Sequence, residues 1–141
     1  MKRRLLVGIL ILLAWTVVDL LLHRLLLEPY YAQSPTLWRP FDSLNVPLIY
    51  TVVFILIAVF ICTYELLVQP KTLVSGVILG TLLGLALGVS AGFGTYLHMP
   101  VPLALAWGWL LGGWLKGIVA GALIGAMLRS TRRDGSADLG T

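Results

Sequence analysis

The stretch from Gly76 to Gly92, GVILGTLLGLALGVSAG, decides the fold. Its glycines Gly76, Gly80, Gly84, Gly88 and Gly92 fall four residues apart, so in a helix they form one ridge. A second stretch, GWLKGIVAGALIG, repeats the spacing with Gly113, Gly117, Gly121 and Gly125. In a soluble helix each interior glycine costs roughly 0.5–1 kcal/mol relative to alanine. In a bilayer no water competes for the backbone, so helix persists and small residues become contact surfaces. The two stretches therefore read as membrane helices packed backbone to backbone, a glycine zipper.

Composition agrees. Of 141 residues, 59% are hydrophobic and 11% charged, with a mean hydropathy of +0.96. Soluble domains carry about 25% charged residues, so the deficit marks a polytopic membrane protein. A net charge of +4 raises the question of nucleic acid. The basic residues, however, cluster at the ends of apolar runs, which is an orientation signal and excludes that class. The single cysteine, Cys62, lies within an apolar run and reads as packing.

Four spans are expected at 5–27, 46–68, 72–97 and 104–128, each meeting the roughly 20 residues a bilayer core needs. The prediction is an all-α, antiparallel four-helix bundle over 1–128, with 129–141 a polar cytoplasmic tail. All seven prolines fall in connections or first turns, where a missing N–H costs little. The start, Met1-Lys2-Arg3-Arg4 followed by Leu5 to Leu13, mimics a signal peptide. The apolar run outlasts a signal core and no small-residue cleavage site follows it, so a retained first span is expected. Lys2, Arg3, Arg4, Lys71, Arg129, Arg132 and Arg133 fall on one side, against Arg24 and Arg39 on the other. That bias predicts both termini in the cytoplasm. Tyr30, Tyr31, Trp38, Tyr96, Trp107 and Trp109 then gather near the outer face as interfacial aromatics.

Intramembrane ionisable groups are expensive and therefore informative. Asp19 and His23 are four apart on span one and share a face with Trp15. Lys116 lies at comparable depth on span four, within reach of a snorkelling stem. An Asp19–Lys116 pair is expected. It reads either as a structural ion pair or as a proton or ion relay with Asp19 titrating. His23 and His98 both map to the outer edge and offer a haem or metal ligand pair, although no local ligand-spaced motif supports one. Glu65, at the cytoplasmic end of span two, is expected to pair with Lys71, Arg129 or the amino-terminal basic run. The sequence carries no nucleophile motif, phosphate-cradling loop, Cys-x-x-Cys or paired catalytic carboxylates, so no enzyme activity is expected.

The first connection carries a resemblance. His23, Leu25-Leu26-Leu27, Tyr31 and Leu37-Trp38-Arg39-Pro40 resemble the segment after the first helix in small uncharacterised bacterial membrane proteins. Gly92 to Pro102, Trp107 and Gly117 to Arg129 are similar to the last helices of that domain-of-unknown-function group. The resemblance implies a four-helix protein of the bacterial inner membrane and supplies no activity.

Three functions fit. The first is a non-enzymatic accessory or assembly subunit. It would bind lipid or a larger membrane complex through spans one and two and the outer-loop residues Tyr30, Tyr31, Trp38 and Arg39. The second is a small transporter or channel, formed by self-association, that uses Asp19 and Lys116. The third is a haem- or metal-binding subunit using His23 and His98.

Overall fold

Val7, Ile11 and Trp15 recur every four residues along the first helix and are 0%, 0% and 4% exposed. They pack with Ile57, Phe60, Ile61 and Tyr64 of the second helix and with Ala120 and Ile124 of the fourth. This cluster is the apolar centre of a computed structural model in which residues 1–128 are described; the tail at 129–141 lies outside the described residues. Every regular element among the described residues is helical.

Four helices are long and apolar enough to cross a membrane: Lys2–Leu26, Val46–Leu67, Leu73–His98 and Leu103–Met127. Their bounds fall within three residues of those expected from the sequence. The apolar side chains that the bundle leaves uncovered, such as Leu5, Phe54, Leu66, Leu82 and Leu115, are exposed on its outside, as lipid-facing positions would be.

Local chemistry sets the helix ends. Asn45 caps the second helix, its side chain accepting from the Leu48 amide at 3.1 Å, and Pro47 sits in the first turn. Thr72 and Ser75 form a capping box at the start of the third. The turn before it is pinned by Tyr64, fully buried, whose hydroxyl donates to the Thr72 carbonyl at 2.9 Å. At the same end Arg4 donates to Glu65 at 2.8 Å, so the amino-terminal basic run supplies the partner of Glu65.

The third and fourth helices make the most extensive contact in the molecule. Where they meet there is no room for side chains. A Cβ on Gly76 would lie 2.7 Å from the Gly125 Cα, one on Gly84 2.7 Å from the Gly117 Cα, and one on Gly113 2.9 Å from the Gly88 Cα. Gly80 meets Gly117 and Gly121 in the same way. Towards the other end Gly88 lies between Gly113 and the Leu110 carbonyl, and Gly92 lies against the Ala106 carbonyl, so at the last ridge glycine the opposing backbone belongs to bulkier residues.

Two of the i+4 stripes contain a π-helical turn: Leu21–Leu26 in the first helix and Ser90–Gly94 in the third. At 3.6 residues per turn each i+4 step rotates a stripe by about 40°. A π turn holds more residues per turn and takes that drift back. His23 and Leu27 thereby stay in line with Val7, Ile11, Trp15 and Asp19, and Gly92 stays on the ridge.

Candidate functional site

The buried stripe of the first helix continues from Trp15 into Asp19 and His23. On the fourth helix Lys116 follows Gly108 and Gly112 at the same spacing. Those two glycines accommodate the first helix, since Cβ atoms there would collide with the Leu27 and Leu22 side chains. This second small-residue ridge brings Lys116 to Asp19. The Lys116 ammonium donates to Asp19 Oδ1 at 2.8 Å and to Oδ2 at 3.1 Å. It also lies 5.5 Å from the centre of the Trp15 ring, within cation–π range. Trp15 is fixed in turn, its indole N–H donating to the Lys116 carbonyl at 2.8 Å and its ring edge-on to Phe60.

His23 stands on the other side of the carboxylate. Its Nε2 is 3.9 Å from Asp19 Oδ1, and its Nδ1 is 2.6 Å from the Tyr31 hydroxyl oxygen. The same oxygen accepts from the Trp109 indole N–H at 2.6 Å. Trp38 closes the group, donating to the Tyr31 carbonyl at 3.0 Å and meeting its ring edge-on at 5.0 Å. Burial pushes the Tyr31 phenol above its ordinary pKa, the Trp109 hydrogen bond opposing that shift and the Asp19 charge adding to it. Tyr31 is therefore a neutral hydroxyl near pH 7, able to donate to His23 or accept from it.

Trp15, Asp19, His23, Trp109 and Lys116 line one cavity of about 280 Å³, which Tyr31 and Trp38 do not reach. All four long helices contribute: Trp15, Asp19, Leu22 and His23 from the first, Leu56 and Phe60 from the second, Leu87 and Ala91 from the third, and Trp109, Gly112, Gly113, Lys116 and Gly117 from the fourth. Both π turns reach it, through Leu22 and His23 and through Ala91. π turns recur at functional sites because they interrupt the regular ladder and re-aim side chains. The walls are mostly aliphatic or aromatic, with polar groups gathered at Asp19, His23 and Lys116. That is the usual make-up of a small-ligand site.

The remaining sequence candidates separate. Tyr31 and Trp38 were expected as outward interaction residues. They are half-buried and bonded into the chain, whereas Tyr30 and Arg39 are exposed. His98 ends the third helix and is exposed, in surroundings unlike those of His23. Among the described residues no group of three or more His, Cys, Asp or Glu could hold a metal ion. The Tyr31–Trp109 support of His23 and the Gly108–Gly112 ridge went unread in the sequence. One signal pointed to the ridge, the Ala104-Gly108-Gly112-Lys116-Ala120 series.

Comparison with family models, with curated proteins and with solved structures finds no match. The functional reading accordingly rests on residues and geometry.

Proposed function

We propose that the chain is a small, non-enzymatic transport protein of the bacterial inner membrane. Its central cavity takes a small solute against the Asp19–Lys116 pair. One observation carries this reading: a cavity lined by all four long helices holds the ion pair and His23, and both π turns reach it. A pair serving only to neutralise two costly charges needs neither a cavity nor a histidine within 4 Å. The accessory-subunit reading has no comparable support, because exposed apolar faces on the first two helices suit any lipid-facing surface.

The architecture proposed with it is an antiparallel bundle closed by a glycine zipper, both termini cytoplasmic. The contact register supports the zipper, since Gly76 neighbours Gly125, Gly84 neighbours Gly117 and Gly92 neighbours Ala106.

The test is reconstitution. Liposomes carrying a trapped pH dye are given inward gradients of small organic acids, amines and amides, one class at a time, with uptake of radiolabelled solute followed in parallel because a neutral amide moves no proton. One class is expected to produce a pH change faster than in protein-free liposomes. That change should be lost in Asp19→Asn and kept in His98→Ala. Rates equal to the protein-free background for every class would refute transport.

A further inference from the structure

We infer that the solute is a small organic monoanion with a short apolar body, bound together with one proton, and that His23 takes the proton. This rests on the cavity being a solute site.

The charge count of the cavity comes first. Asp19 and Lys116 cancel, and neutral His23 adds nothing. An anion entering alone would leave a net negative charge at membrane depth, and a proton entering alone a net positive one. Each is penalised where water is scarce. Arriving together, they leave the site neutral.

The geometry then gives the proton a place. The groups facing His23 are Asp19 from its own helix, Lys116 from the fourth helix and the Tyr31 hydroxyl, itself bonded to Trp109. The second and third helices present Leu56, Phe60, Leu87 and Ala91 to the cavity, none of which titrates. In the neutral ring Tyr31 donates to Nδ1, and the ring proton sits on Nε2 towards Asp19. When a proton from water adds to Nδ1, the Tyr31 oxygen becomes the acceptor. It has lone pairs for both the imidazolium and the Trp109 N–H. One N–H bond forms at Nδ1 as a hydronium ion loses one O–H bond, and no bond between heavy atoms changes. The imidazolium Nε2–H then lies 3.9 Å from Asp19 Oδ1 and needs only a small movement to become its counter-ion.

Asp19 thereby gains a second cation, and the Lys116 ammonium is freed to take an anion. The ammonium lies at the cavity wall beside Trp15. The rest of that wall, Leu22, Leu56, Phe60 and Leu87 among others, suits an alkyl or small aryl body. At about 280 Å³ the space admits a short chain and not a lipid.

Calorimetry on the full chain in nanodiscs tests this, with propane-1-sulfonate and butyrate as anionic probes and butyramide and butylammonium as neutral and cationic controls. The sulfonate stays ionised throughout, so any pH dependence belongs to the protein. Both anions are expected to bind, and sulfonate affinity should fall as pH rises, by about tenfold per pH unit where the free histidine is neutral, the slope for one obligatory proton. His23→Gln should flatten that profile, and Tyr31→Phe should shift it. His98→Ala should leave it unchanged. Failure of both anions to bind, a sulfonate profile that is flat in the unaltered protein or unchanged in His23→Gln, or equal binding of either control would overturn the inference. Proton-linked anion binding without flux would remove the transport reading and leave this site standing. Flux driven only by amines or amides would do the reverse.

Discussion

At the scale of single residues, the energetics turn on stranded charge. Asp19 and Lys116 are 40% and 25% exposed in their side chains, so the cost of parting them lies below that of a fully buried pair. Removing one partner leaves the other uncompensated. Such losses reach about 3–5 kcal/mol for buried pairs, whereas replacing both by apolar groups is often neutral. Asp19→Asn and Lys116→Met should each lower the unfolding temperature in detergent, and the double variant should recover part of the loss. Strictly additive losses in that cycle would mean that the pair does not interact. The Arg4–Glu65 bridge is a contrast, with the arginine side chain 60% exposed. Glu65→Gln should change stability by no more than about 1 kcal/mol, measured the same way. The ion pair itself was legible in the sequence, because two charges at matching depth on different spans have few other partners. The hydrogen bonds that hold His23 were not. They depend on the first connection folding back over the bundle, and periodicity carries no information about where a loop lands.

At the scale of the element, the glycine ridges set how close the third and fourth helices lie, and they were readable because i+4 spacing is a property of the chain alone. Less readable was what the far end would meet. A run of glycines shows where a helix is thin, but the partner's register depends on the length of the His98 to Pro102 turn. Gly88 consequently meets Leu110 as well as Gly113, and Gly92 meets Ala106. The π turns were likewise invisible to a pattern that assumes one helical period, although a five-step stripe held to one face requires some such correction. The seam makes a graded prediction. Gly84→Leu and Gly117→Leu must push backbones apart, since even a Cβ at these positions would overlap backbone atoms of the opposite helix. Both variants should lose the single sharp peak of the parent in size exclusion. Gly94→Ala, whose Cβ would meet only the Ser90 hydroxyl at 3.9 Å, should keep it. A Gly94→Ala profile as disturbed as that of the leucine variants would mean that general glycine content, not the seam, supports the fold.

At the scale of the whole molecule, the two ends of the bundle differ in chemistry, and that difference predicts which way it sits in a membrane. Arg4 bonds to Glu65, and the Tyr64 hydroxyl holds the turn that contains Lys71, so the start of the first helix and the second connection share one end. Tyr31, Trp38, Trp109 and His23 share the other. Lys2, Arg3, Arg4 and Lys71 stand at the first end against Arg24 and Arg39 near the second. Arg129, Arg132 and Arg133, which strengthen the bias in the sequence, lie outside the described residues. Short basic segments are retained on the cytoplasmic side, which predicts the aromatic cluster at the outer face. A fluorescent reporter that matures only in the cytoplasm should therefore light when fused after Thr141 and stay dark when inserted at Gln33. A phosphatase that folds only outside should give the opposite pair of signals. Neutralising Lys2, Arg3 and Arg4 together should weaken the bias and yield mixed signals, because the positive-inside effect is carried by charges close to the span. Activity of the outside reporter at Thr141 in the unaltered chain would invert the bundle. His23 and its tyrosine would then face the cytoplasm, and the proton that His23 takes would come from that side.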